Sequence, residues 1–158
     1  MLNDVSVLEL VRNLKGHSPW GVRLGVGSFL TMEFGKPEAN GSGSAVHGEW
    51  HLWFYMCSWR IENEDKVIAG SEDERSRIET VLENLALGSI EKIDLVRPSL
   101  DLAMQFSIGT KALTFSTSSA GNERQWMLFT PDGHCLTVYG DGSFEYSRKD
   151  EPRPRVGE

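Results

Sequence analysis

His47, Glu49 and His51 stand at i, i+2 and i+4. On an extended strand all three side chains leave one face, and two imidazoles beside a carboxylate are a metal-binding set in type. The spacing departs from a cupin-type site, which needs His-x-His followed shortly by an acid, and the next acid after His51 is Glu62. His47 also ends a Gly/Ser-rich run, and ordering such a loop costs about 1–2 kcal/mol per residue fixed. Polar groups at the wet end of a strand account for the same three residues, so no bound metal and no other cofactor is expected.

Nucleophilic chemistry has less support still. Cys57 lies six residues from His51, about 20 Å along an extended strand. His134 and Cys135 are adjacent and therefore point to opposite faces of any strand that carries them. Gly25-Val26-Gly27-Ser28 lacks a third glycine and runs into a strand-like pattern where a phosphate loop needs a helix N-terminus. Glu72, Asp73 and Glu74 fit the first turn of a helix, where carboxylates complement the dipole. No catalytic residue is assigned, and the chain is read as leaning away from enzymes.

Recognition is better served. From Glu49 to Ile61 the chain alternates, with Trp50, Leu52, Phe54 and Met56 on one side and His51, Trp53, Tyr55, Cys57 and Trp59 on the other. Trp53, Tyr55 and Trp59, with His51, form a flat surface with polar tips, a composition enriched at interfaces and pockets. Glu49 extends it. Two readings stand: a second core covered by other elements, or a binding surface made of Glu49, His51, Trp53, Tyr55 and Trp59.

The elements that must carry these residues follow from periodicity. Val7, Leu10, Val11 and Leu14 mark one face of a helix starting near residue 4, capped by Asn3 or Asp4 and stopped by Gly16. Trp20 to Gly35 reads as a hairpin broken near Gly25–Ser28, and residues 36–48 as a flexible connection. Ser71 and Glu74 form a capping-box pattern that opens a second helix near residue 72, with Ile78, Val81, Leu82 and Leu85 inward and Gly88 closing it. Strands then return at Ile93–Leu95, Leu100–Phe106, Leu113–Phe115, Trp126–Phe129, Cys135–Tyr139 and Phe144–Tyr146. Pro131-Asp132-Gly133 and Gly140-Asp141-Gly142 supply tight turns between the last three.

A shift of 71 places the first helix face on the second. A shift of 72 sets Gly16 on Gly88 and Leu30, Met32 and Phe34 on Leu102, Met104 and Phe106, while 76 sets Trp50 and Leu52 on Trp126 and Leu128. The expectation is an α+β fold with two amphipathic helices on a largely antiparallel, curved sheet. It forms one domain over 1–148, with an internal duplication over 4–61 and 72–147. Residues 149–158 read as a tail.

Composition sets the outer limits. With 158 residues and 39% apolar content, one domain can bury a real core. No apolar run approaches the ~20 residues of a membrane-spanning helix. The start lacks the basic and apolar stretches of a secretory signal, so the address expected is the cytoplasm. Two distant cysteines form neither a disulfide framework nor a zinc pattern, and both are expected to be unpaired thiols. The net charge of −7 is concentrated in 62–94, which holds 10 acids against 4 bases. That band would repel a phosphate backbone, so nucleic acid is not an expected partner, whereas a basic protein is permitted.

Trp20-Gly21-Val22-Arg23, the run Gly27 to Gly35, Gly48-Glu49-Trp50-His51-Leu52-Trp53 and Cys57-Ser58-Trp59-Arg60 resemble a family of uncharacterised bacterial proteins, over most of Leu14 to Tyr146. The run Trp126 to Gly133 is similar in style to small immunity proteins of bacterial toxin systems, which implies a protein partner. The function expected is a non-enzymatic protein-interaction module of the immunity type, with its oligomeric state left open. The alternative is a small enzyme or ligand-binding domain with a pocket near Glu49, His51, Tyr55 and Trp59.

Overall fold

The N-terminal periodicity resolves as α1 (Asp4–Arg12) in a computed structural model that describes residues 3–39 and 45–148. The expected tail, 149–158, and residues 40–44 of the expected connection lie outside the described residues. The Asn3 carboxamide caps α1 by accepting the Ser6 N–H at 2.9 Å. Val7, Val11 and Leu14 are fully buried. Gly16, at φ +87°, turns the chain after the helix.

The strands are β1 (Gly21–Leu24), β2 (Leu30–Ala39), β3 (Ala45–Phe54), β4 (Ser58–Glu62), β5 (Val67–Gly70), β6 (Ile90–Val96), β7 (Asp101–Phe106), β8 (Lys111–Phe115), β9 (Arg124–Phe129), β10 (His134–Tyr139) and β11 (Phe144–Arg148). They form two sheets where one was expected. One runs β1-β2-β3-β9-β10-β11 and the other β5-β4-β8-β7-β6, with every ladder antiparallel. The protein is therefore α+β and dominated by strands.

Two meanders organise the sheets. β1-β2-β3 occupies one and β6-β7-β8 the other, and in each case the strand that follows leaves its meander for the opposite sheet. β4 pairs with β8, and β9 pairs with β3. The chain makes the first crossing in a corner at Tyr55–Cys57, where a single strand from Glu49 to Ile61 was expected. Within one core cluster Leu30, Met32, Leu52, Phe54, Trp126, Leu128, Leu136 and Val138 face Trp59, Ile61, Leu102, Met104, Phe106 and Ala112. Because β3 and β9 are neighbours in register, Phe54 against Trp126 and Leu52 against Leu128, the 76-residue match joins two paired strands.

The second helix, α2 (Arg75–Glu83), begins later than the capping-box pattern implied, and its Glu74 N-cap makes no side-chain cap bond. Ser71 is instead bound to β4: its Oγ accepts the Trp59 N–H at 3.1 Å and its own N–H donates to the Trp59 carbonyl at 2.9 Å. Glu72, Asp73 and Glu74 thus precede the helix, whose first turn holds no acid. Arg75 does the anchoring. Its guanidinium donates to the carbonyls of Leu24, Gly25 and Gly27 at 3.2, 2.7 and 3.1 Å, so the Gly25–Ser28 turn presents oxygens to a cation. The connection expected over 36–48 is also shorter, because Lys36–Ala39 continue β2 and residues 45–48 open β3.

Candidate functional site

The register of β2, β3 and β9 lays Glu33 beside His51 and His51 beside Phe129, on the face opposite Leu52 and Phe54. Trp53 follows His51 on that face with Thr31 and Met127 as its cross-strand neighbours. Rings run continuously across it. Tyr55 lies 4.3 Å from Phe29 and 5.1 Å from Trp53, His51 is 5.4 Å from Phe129, and His47 is 5.8 Å from His51. The main helix contacts fall elsewhere, α1 against β6 and α2 against β1 and β5.

A β-bulge shapes the end of this face. Phe34 opposes Trp50 and Pro37 opposes Gly48, so Gly35 and Lys36 together oppose Glu49. Gly35 sits at φ +74°, and a Cβ there would come within 2.5 Å of the Glu49 carboxylate. Gly48 is equally confined, since a Cβ would stand 2.2 Å from the Phe34 carbonyl oxygen. Both positions need glycine, the first for conformation and the second for close backbone approach.

The bulge organises a buried acid. Glu33 is 3% exposed, a location a carboxylate tolerates only when its oxygens are bonded. One oxygen accepts the Gly48 N–H at 2.7 Å and the other meets His51 Nδ1 at 2.5 Å. His51 Nδ1 therefore carries the proton toward Glu33, leaving Nε2 on the far edge of the ring. His47 Nδ1 is 3.0 Å from the Gly48 carbonyl, and Glu38 lies 4.0 Å from the same nitrogen. Among the described residues no three His, Cys, Asp or Glu groups are grouped to hold a metal ion.

His47, His51, Trp53 and Phe129 line a pocket of about 230 Å³. Of the residues singled out from the sequence, His51, Trp53 and Tyr55 are brought together, and Glu49 stands beside them against Gly35. Trp59 is not among them. Beyond the corner its indole is 2% exposed in the core, and its Nε1–H donates to the Ser28 carbonyl at 2.6 Å. Glu33 and Phe129 are the contributors that sequence reasoning missed. The only signal for Glu33 was an acid placed between the core residues Met32 and Phe34, and nothing local marked Phe129.

The remaining polar clusters serve the turns and the core. Asp132, in the β9–β10 turn, has its carboxyl held below the usual range by the Thr130 hydroxyl, and the Tyr146 hydroxyl donates to it at 3.2 Å. Burial raises the Tyr146 phenol. Cys57 is also buried, which pushes its thiol up to about 12 despite a backbone hydrogen bond from Tyr55. Such a thiol is a poor nucleophile. Neither cysteine is in a disulfide.

Compared with known proteins, the chain matches no family model, no curated protein and no solved structure. No helix is long and apolar enough to cross a membrane among the described residues.

Proposed function

We propose that the protein is a non-enzymatic interaction module, of the immunity type, that binds a polypeptide through the outer aromatic face of its six-stranded sheet. The carrying observation is the unbroken run of rings from Tyr55 through Phe29, Trp53 and His51 to Phe129, away from the main helix contacts. Aromatic side chains supply large contact area at low conformational cost and dominate binding hot spots. The 230 Å³ pocket is below the ~300–1,000 Å³ usual for drug-sized ligands, which favours one inserted side chain over a cofactor. The reading also places the protein in the cytoplasm, in keeping with two buried thiols outside any disulfide.

The crossing of β4 and β9 between meanders supports an internal duplication as the origin of this sheet, with each half lending a strand to the other's meander. A second reading has one observation in its favour. A histidine oriented by a buried carboxylate is the arrangement of a general base, so the Glu33–His51 pair suits a small enzyme with a single-ring substrate.

Affinity capture compares the wild-type chain with Trp53→Ala and Phe129→Ala as face variants and with Lys111→Ala on the other sheet as control. A partner retained by wild type and control but lost by both face variants supports the reading. Retention by all of them sinks it.

A further inference from the structure

The pocket bounded by His47, His51, Trp53 and Phe129 is walled by four aromatic side chains. Trp53 and Phe129 are diagonal neighbours across the β3–β9 ladder, and their ring faces carry negative quadrupole potential. With Nδ1 of His51 committed to Glu33 and Nδ1 of His47 to the Gly48 carbonyl, Nε2 is the ring nitrogen that each histidine has left to offer an occupant. The indole Nε1–H of Trp53 is buried and has no hydrogen-bond partner. The adjoining β2–β3 ladder carries Glu33, Glu38 and Glu49 against Lys36.

An occupant thus sits among aromatic rings, whose faces are electron-rich, beside the carboxylates of the β2–β3 ladder. A carboxylate or phosphate would be repelled. A neutral apolar ring would fill the space yet leave both imidazole nitrogens desolvated and unpaired. A cation satisfies walls and nitrogens together. Among cationic side chains the guanidinium is flat, more weakly hydrated than an ammonium, and able to stack on rings while its N–H fork reaches separate acceptors.

We infer that this pocket receives an arginine side chain from a polypeptide partner. The inference rests on the face reading proposed above and supplies the partner's chemistry at its centre. Charge complementarity with the Glu33, Glu38 and Glu49 carboxylates beside the pocket fits a partner that is basic at the contact.

The test titrates ethylguanidinium into the isotopically labelled protein and follows the Trp53 indole and the His47 and His51 ring resonances. Ethylammonium, p-cresol and acetate serve as competitors in charge and shape. Saturable shifts confined to these rings with ethylguanidinium, weaker with ethylammonium and absent with acetate, are expected. Phe129→Leu keeps apolar volume but removes the π face, and should weaken ethylguanidinium about three- to tenfold while thermal unfolding confirms that it folds. No saturable shift, or tighter binding of p-cresol or acetate, overturns the inference. If ethylguanidinium is silent while capture still depends on Trp53 and Phe129, the arginine assignment alone falls. If it binds but capture is independent of those residues, the face reading falls.

Discussion

Trp59 and Trp126 tie the two sheets by the same device. Each is buried in the first strand to cross between sheets, and each indole N–H donates to a carbonyl two residues before the first core leucine of a meander's central strand. Trp59 reaches Ser28, ahead of Leu30, at 2.6 Å; Trp126 reaches Leu100, ahead of Leu102, at 3.0 Å. The acceptors are 72 residues apart, the shift that also relates Gly16 to Gly88, and both glycines have positive φ. The same kind of bond is thus made twice, once from each sheet to the chain that leads into the central strand of the other.

If the two tryptophans are equivalent, replacing each should cost alike. Trp59→Phe and Trp126→Phe each remove a buried N–H donor and part of a ring, with an expected loss of about 1–3 kcal/mol apiece. Urea unfolding measures it. One variant near neutral with the other severely destabilised would count against equivalence.

Arg75 fastens the start of α2 to the β1–β2 turn through three carbonyls. Its side chain is half exposed, so Arg75→Ala is expected to cost only about 1 kcal/mol globally. The local effect should be larger. Amide exchange should quicken at Phe29, whose N–H bonds to Val26, and at Gly25, bonded to Phe29. Unchanged exchange in the turn would show that the guanidinium is dispensable there.

Cys57 gives the protein an alkaline sensitivity with a definite sign. Burial raises its thiol from 9.0 to about 12, so between those values the unfolded chain has released a proton that the native chain retains. The contribution is fully present below the unfolded value and is lost as pH rises through the window, by up to about 1.4 kcal/mol per pH unit. Cys57→Ala should flatten this part of the stability profile, measured by urea midpoints from neutral to alkaline pH. In the native state a thiol reagent should label Cys57 slowly, and unfolding without reductant should expose two free thiols.

Much of the frame could be read from residue spacing, for a physical reason in each case. α1 was legible because its cap, its apolar face and its stop are all local. The last three strands were legible because Pro131-Asp132-Gly133 and Gly140-Asp141-Gly142 mark their turns. The corner at Tyr55–Cys57 was not, since it contains neither glycine nor proline. It shifts the buried parity from Leu52 and Phe54 to Cys57, Trp59 and Ile61 without breaking the apolar alternation. That one shift removed Trp59 from the aromatic face. Ser71 misled because its hydroxyl serves β4, a partner twelve residues earlier in the chain. The site itself was half visible. His51, Trp53 and Tyr55 share a strand, whereas Glu33 and Phe129 reach them only through sheet register.

Glu33→Gln tests whether the buried acid sets the orientation of the pocket. The carboxylate accepts from both the Gly48 N–H and His51 Nδ1. A carboxamide has one oxygen and one NH₂, so it cannot accept from both through separate oxygens. If its oxygen stays with Gly48, the NH₂ faces His51 and drives the ring to the tautomer protonated at Nε2. If the oxygen stays with His51, the Gly48 N–H is left buried and unpaired, at a cost of about 1–3 kcal/mol. The bond to the backbone holds the β-bulge in place, and a neutral imidazole changes tautomer more cheaply than a buried amide loses its partner. We therefore expect the first outcome. Nitrogen-15 shifts of His51 should show Nδ1 protonated in the wild type and Nε2 protonated in the variant. Ethylguanidinium should then lose its acceptor and bind at least about tenfold more weakly. An unchanged tautomer with an intact fold would mean that Glu33 does not set the polarity of the pocket.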